Sequence, residues 1–399
     1  MTHAPLRPAL ARQDVASPDG RMFHLYGRVD PVTVTGILER PDDHEHVAAN
    51  LQRRFDRLTG SWVLVSPARN VRPSTTLTGG AAPVCPLCPG GPELPGAFDL
   101  AVFDNRFPSM SPDAPDVHDE SGLTAASRGR CLVVVYTDEH LESFSALSLQ
   151  QFANVVAVWR DRTAALWADG YDYVMAFENH GSDVGATLPH LHGQVYALDH
   201  MPPVTTSKLA SHTRHREMYD ECVGCRLVAD DLASERVIHE NDHFIAAVPF
   251  ASRWPLEVQV RAKEHGTGRL SDLSDPAALD LVSALSSTVR RYDHLWGFEL
   301  PYMMCVQEAP PPRCGPDAAD WHLHVELLPP HRSAGRLKVR ASVESALGVF
   351  INDTIPEQIA SALRSVEPAA LDWTGVTVPA IEQVARRNRG EAFHQHPRD

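Results

Sequence analysis

His190-Leu191-His192-Gly193-Gln194-Val195 and, 132 residues further along, His322-Leu323-His324-Val325-Glu326 share one His-x-His step. In the first run polar and apolar side chains alternate, the period of a half-buried strand. Alternation sends residues 190, 192 and 194 to one face, so two imidazoles and an amide stand side by side. What precedes the two runs also matches. Before the first come Cys85-Pro86-Leu87-Cys88, Asp138-Glu139-His140, a helical pattern over 148–168 and a strand over 173–177. Before the second come Cys222-Val223-Gly224-Cys225, Lys263-Glu264-His265, a helical pattern over 277–292 and a strand over 302–306. A repeat of roughly 130 residues is too long for a solenoid and fits a duplicated domain. Each copy thus carries two cysteines and two histidines in the same order: Cys85, Cys88, His140 and His190, then Cys222, Cys225, His265 and His322. The duplication points to a Cys2His2-type organisation, made twice.

Composition narrows the class. The chain has 399 residues, 43% of them apolar, which supports a sizeable core and excludes a disordered tail protein. A net charge of −15 argues against a general binder of nucleic-acid backbones, while leaving room for a small anion in a local basic pocket. No stretch approaches ~18 apolar residues, so no membrane span is expected. Met1-Thr2-His3-Ala4-Pro5 opens no secretory signal, and a soluble cytoplasmic protein is the expectation. Seven cysteines, an odd number, with 21 histidines suit reduced thiols and metal ligation better than disulfides.

The stretch from Phe177-Glu178-Asn179-His180-Gly181 through Gly185 to His190-Leu191-His192-Gly193-Gln194 closely resembles the active-site signature of galactose-1-phosphate uridylyltransferases, the transferase branch of the histidine-triad superfamily. Other matching segments lie in order: 53–73, the cysteine pair 85–88, Val102-Phe103-Asp104-Asn105-Arg106-Phe107, and 249–255. The similarity covers about residues 53 to 340. The resemblance implies an α+β fold of two fused histidine-triad-like repeats, antiparallel sheets with packed helices. Expected divisions are an N-terminal extension over 1–52 that packs loosely, a catalytic first unit over 53–205, a degenerate second unit over 206–335, and a C-terminal helical segment with a polar tail over 336–399.

It also implies roles. His192 would be the nucleophile, forming a covalent uridylyl-histidine. A neutral imidazole can do this when one ring nitrogen donates to a fixed acceptor and the other keeps its lone pair. Gln194 would donate amide N–H bonds to the phosphoryl oxygens without supplying an acidic proton, which favours transfer over hydrolysis. Arg69, Arg72, Asn105, Arg106 and Asn179 would contact nucleotide and phosphates, with Gly185, Ala186 and Thr187 forming a phosphate-facing loop. Family members more often have an acidic residue where Arg106 stands, a basic one at His180 and Pro at Leu191. Cys85, Cys88, His140 and His190 would hold zinc, and four protein ligands make that site structural.

The second copy departs. Glu326 stands where the first has an amide, and a carboxylate facing a phosphate repels it, so this copy should not turn over nucleotide. The better-studied relatives hold a second metal nearby with a Glu and three His. At the matching positions this chain has Lys208, Gln307, His324 and Glu326, so that site does not carry over. The internal repeat suggests instead a second zinc at Cys222, Cys225, His265 and His322. His331-Arg332-Ser333-Ala334 resembles the segment that reaches a partner subunit's active site, with Lys338 as its phosphate contact, which implies a homodimer. The expected activity is uridylyl exchange between UDP-glucose and galactose 1-phosphate, releasing glucose 1-phosphate and UDP-galactose, with zinc but no redox cofactor. The alternatives are a nucleoside-diphosphate-sugar phosphorylase or another nucleotidyltransferase on the same scaffold, and a non-catalytic, zinc-stabilised interaction protein.

Overall fold

The structure, a computed structural model, describes residues 9–41, 51–71 and 85–387. It divides into two compact units, residues 1–140 with 379–399, and 141–378.

The first unit contains strands β1 (Ala9–Ala16), β2 (Met22–Val29), β3 (Gln52–Asp56), β4 (Ser61–Val65), β5 (Phe98–Asp104), β6 (Thr124–Ala126) and β7 (Gly129–Val135), with one helix, α1 (Pro31–Leu38). Its larger sheet runs β7-β5-β2-β1 and ends on the strand Ala380–Arg387; β4-β3-β6 form a smaller one. Residues 9–38 are therefore no loose extension. Val15, Phe23, Leu25 and Tyr26 are fully buried, and β2 pairs along β5. The polar, Pro-rich composition of 1–52 hides two strands whose inward residues are large and apolar. The C-terminal region also differs from the helix-and-tail expectation, because Ala380–Arg387 pairs in parallel with β1. The tail 390–399 and the cluster 42–45 lie outside the described residues.

The second unit holds β8 (Tyr173–His180), β9 (His192–Leu198), β10 (Val237–Glu240), β11 (Phe244–Ala247), β12 (Val258–Ala262), β13 (Tyr302–Gln307) and β14 (His324–Leu328), in the sheet order β10-β11-β12-β14-β13-β8-β9. Every neighbouring pair is antiparallel. Helices α2 (Leu149–Ala168) and α5 (Asp275–Leu295) pack on it, α2 against β8 and β9, α5 against β11 and β12. Each starts on a serine whose hydroxyl accepts an orphan N–H, Ser148 from Gln151 and Ser274 from Ala277. Their apolar stripes, Phe152, Val155, Val156, Trp159 and Leu166, and Leu281, Val282, Leu285, Val289 and Tyr292, are buried. Residues 190–191, expected in the strand, precede β9.

The repeat boundary near residue 205 is not the packing boundary. β8 of the first repeat pairs with β13 of the second, Met303 opposite Asn179 and Cys305 opposite Phe177, which merges the two repeats' central strands into one sheet. Continuing the register sets Gln194 opposite Phe177 and Glu326 opposite Cys305. The two motif strands thus lie three strands apart on one sheet, about 14 Å at the usual strand spacing.

Candidate active site and metal centres

His192 opens β9, and Leu191 N–H donates to the Leu141 carbonyl at 2.7 Å, fixing where that strand starts. His192 Nδ1 lies 2.7 Å from the carbonyl oxygen of His190. A carbonyl only accepts, so Nδ1 carries the proton and the lone pair belongs to Nε2. The chain thereby sets the tautomer of this ring with its own backbone two residues earlier. Gln194 is next on the same face of β9, and Asn179 lies on the corresponding face of β8, where half-buried and buried residues alternate. Between the strands the chain turns through Ser182–Val184, flanked by Gly181 at φ +86° and Gly185 at φ +84°. Both angles favour glycine, and at Gly181 a Cβ would also come within 2.8 Å of the Pro301 side chain.

In the first unit, Arg69 sits on the short helical turn Pro67–Val71 and donates to the Phe107 carbonyl at 3.3 Å. Asn105 follows β5 and accepts from Phe107 N–H at 2.9 Å, so Arg69 and the Asn105–Phe107 turn are neighbours. Arg106 is half-buried on that turn. A cavity of about 240 Å³ opens beside Asn105, lined among others by Arg21, Asp104, Arg130 and Cys131. Arg72 lies outside the described residues. Lys338 is buried, its ammonium 2.6 Å from Glu344 and bonded to the Ile351 carbonyl.

The second motif keeps the tautomer lock, and a lysine engages its other ring nitrogen. His324 Nδ1 donates to the His322 carbonyl at 2.9 Å, but its Nε2 accepts from Lys208 at 3.1 Å. Lys208 also pairs with Glu326 at 3.0 Å, and Arg253 reaches the same carboxylate oxygen at 3.1 Å. Gln307 donates to the other oxygen at 3.3 Å. Burial would raise the Glu326 carboxyl, yet the Lys208 ammonium and the Arg253 guanidinium hold it at about 2. Burial, then Lys208, drives His324 well below the usual histidine range, so the ring is neutral and its lone pair engaged. In this copy a lysine stands against both the second histidine and the carboxylate of the motif. Arg253 carried no signal in the sequence beyond its place in the matching segment 249–255.

Two donor clusters stand out. In the second unit, Cys222, Cys225, His265 and His322 each bring a ligand atom within 4.8 Å of the others. Cys225 Sγ is 3.4 Å from His322 Nε2 and 3.6 Å from His265 Nδ1. Cys222 caps helix α4 (Val223–Leu232), and Gly224 is needed there because a Cβ would strike the His322 ring at 2.3 Å. His322 Nδ1 donates to the Ala262 carbonyl at 2.8 Å, which turns the Nε2 lone pair toward the thiols, the usual outer support of a metal-binding histidine. In the first unit, Cys85, Cys88 and His140 form a similar set, Cys88 Sγ 3.1 Å from His140 Nδ1. Cys88 N–H donates to the Cys85 carbonyl at 3.2 Å, and Gly91 admits the tight knuckle, since a Cβ would meet that carbonyl at 2.5 Å. Burial and the adjacent Cys85 push the Cys88 thiol up to about 11. Two sulfurs and two imidazoles are a donor set that suits zinc.

Residues 40–202 match the family model for the N-terminal domain of galactose-1-phosphate uridyl transferase, and residues 207–375 match that for its C-terminal domain. A galactose-1-phosphate uridylyltransferase of Thermotoga maritima is 38% identical over 325 residues, 79% of this chain and 99% of that one. A solved uridylyltransferase superposes with a TM-score of 0.71 at 31% identity, covering 79% of this chain and 98% of that one. An ADP-glucose phosphorylase from Arabidopsis thaliana, solved with bound ADP-glucose, gives 0.61 at 25% identity with the same coverage. Fold and relatives together make the protein an enzyme, a nucleotidyltransferase. The chain belongs to the galactose-1-phosphate uridylyltransferase family.

Proposed function

We propose that the protein exchanges uridylyl groups between UDP-glucose and galactose 1-phosphate in two displacements at His192. The observation that carries this reading is the 2.7 Å bond from His192 Nδ1 to its own backbone, with the Gln194 amide next on the same face. In the first step the Nε2 lone pair attacks the α-phosphorus of UDP-glucose. The bond from that phosphorus to the bridging oxygen breaks, and glucose 1-phosphate departs with the electron pair. The Nδ1 proton stays where it is, against the His190 carbonyl, which offsets the positive charge gained by the ring. In the second step a phosphate oxygen of galactose 1-phosphate attacks the same phosphorus, and the His192 lone pair is restored. Gln194 donates to the phosphoryl oxygens in both steps and offers no proton to water. Arg69, Arg72, Asn105, Arg106 and Asn179 hold nucleotide and phosphates in this reading, with Gly185, Ala186 and Thr187 as the loop that faces them. A guanidinium fork suits phosphate oxygens.

Zinc completes the account in two places. Cys85, Cys88 and His140, with His190 as fourth ligand, would hold one ion, and Cys222, Cys225, His265 and His322 a second. With all four positions filled by protein, each ion would serve the fold and not the chemistry. A homodimer in which Lys338 meets the partner's phosphate requires its Glu344 pair to open. No helix among the described residues is long and apolar enough to cross a membrane.

The test is a pair of incubations. UDP-glucose with galactose 1-phosphate should yield UDP-galactose and glucose 1-phosphate, while ADP-glucose with inorganic phosphate should yield little ADP. The reverse preference would replace this reading with a phosphorylase.

A further inference from the structure

The turn Ser182–Val184 buries none of its residues, and it hangs between two positive-φ glycines. Main-chain bonds within it, Gly185 N–H to Ser182 O at 3.0 Å and Ala186 N–H to Gly181 O at 3.3 Å, set its shape. They do not set its direction, because glycine at each end lets the whole turn swing. One side-chain contact ties its tip to a distant element: Asp183 Oδ2 accepts from His331 Nε2 at 3.0 Å. His331 begins β15 (His331–Ser333), which pairs with β16 (Arg336–Leu337). The imidazole is itself fixed. It is 7% exposed, and its ring lies 5.6 Å from that of Phe298 and 6.3 Å from that of Trp296.

We infer that His331 is a positioning residue for the uridylyl transfer proposed above: by clasping Asp183 it aims the loop bearing Gly185, Ala186 and Thr187 at the substrate phosphates. The inference rests on that functional reading. Neither side chain touches the reacting atoms. Their contribution is the direction of a loop that must meet a phosphoryl group to within a fraction of an ångström, and misplacement on the order of 1 Å can cost ~10²-fold in rate. The Asp183 carboxylate is partly open to solvent, so the clasp is modest and the expected loss smaller, about tenfold. Since the loop meets charge that develops during transfer, the loss falls on kcat more than on KM.

The experiment uses the full chain and three variants: His331→Leu, Asp183→Ala and His331→Gln, the last keeping an N–H donor. Two readouts are taken, steady-state kinetics with UDP-glucose and galactose 1-phosphate, and amide hydrogen exchange over residues 181–188. His331→Leu and Asp183→Ala should each lower kcat about tenfold with KM within about threefold, and each should speed exchange in the loop. Their double variant should be no worse than either alone, and His331→Gln should recover most of the rate. Asp183→Ala, at a partly exposed position, keeps the test open if His331→Leu folds poorly. A kcat within about twofold of the unmodified chain in both variants, or losses that multiply in the double variant, overturns the inference. If the unmodified chain itself transfers no uridylyl group, the functional reading fails. Exchange rates then decide the clasp alone, and unchanged exchange overturns it.

Discussion

Replacing Lys208 by methionine keeps the apolar stem and removes the ammonium that joins His324 Nε2 at 3.1 Å to Glu326 at 3.0 Å. The Glu326 carboxyl is held at about 2, against 4.5 for an ordinary glutamate, which corresponds to about 3 kcal/mol in favour of the folded, charged form. Burial opposes that preference, and Lys208 is the largest of the groups that reverse it. Breaking a buried pair costs about 3–5 kcal/mol when the remaining charge is left alone. Here Glu326 keeps Arg253 at 3.1 Å and Gln307 at 3.3 Å, so the expected loss at pH 7 is about 2–3 kcal/mol. The sign with pH follows from the lowered carboxyl. Its stabilisation is complete above about 4.5 and is lost as pH falls through about 2, so the gap between Lys208→Met and the unmodified chain should narrow toward zero in acid. Urea unfolding at pH 7 and pH 3 measures both quantities, and Lys208→Met/Glu326→Gln should regain most of the loss at pH 7. A variant within about 0.5 kcal/mol of the unmodified chain at pH 7, or a gap undiminished at pH 3, refutes the reasoning.

Glu308 titrates in the opposite sense. Burial lifts it to about 7 despite the N–H groups of Leu270 and Trp167 on one oxygen, so its share of stability is full below about 4.5 and is lost as pH rises through 7. Glu308→Gln should therefore gain about 3 kcal/mol on the unmodified chain between pH 5 and pH 8, read from unfolding midpoints; a constant difference contradicts this. Metal analysis should give close to two zinc ions per chain, and Cys222→Ser/Cys225→Ser should leave about one, with lower thermal stability and transfer retained. Gln194→His should slow transfer about 10²-fold and divert a larger share of the uridylyl group to water; an unchanged partition between water and sugar phosphate removes the amide's assigned role.

Much of this was legible because the strands that carry the chemistry alternate cleanly. The strands expected over 173–177 and about 190–197 and the helices expected over 148–168 and 277–292 follow from local pattern and fall within a few residues of β8, β9, α2 and α5. The N-terminal strands are not legible in composition: β1 and β2 pair as a hairpin within a polar, Pro-rich stretch, and the sheet they join continues to β5, tens of residues away. Ala380–Arg387 was hidden for the same reason, its partner being β1 at the other end of the chain. The division of the repeats near residue 205 agrees with the two family-model matches, 40–202 and 207–375, while the packing of the chain also depends on the hydrogen bonds between β8 and β13. At the site, Lys208 and Glu326 could be read as departures from the first copy, but their mutual charge compensation, and the part of Arg253 in it, needed coordinates. The His331–Asp183 contact, 148 residues apart in sequence, leaves no local signal at all.

The central claim is that His192 takes the uridylyl group onto Nε2. Intact-mass measurement of the protein mixed with UDP-glucose alone, without acceptor, tests it most directly. The account predicts release of glucose 1-phosphate and the gain of one uridylyl group per chain. The adduct should be acid-labile as a phosphoramidate is, map to the peptide containing His192, vanish in His192→Gly and persist in His324→Gly. An adduct that survives in His192→Gly, or transfer that proceeds with no adduct at all, would contradict it.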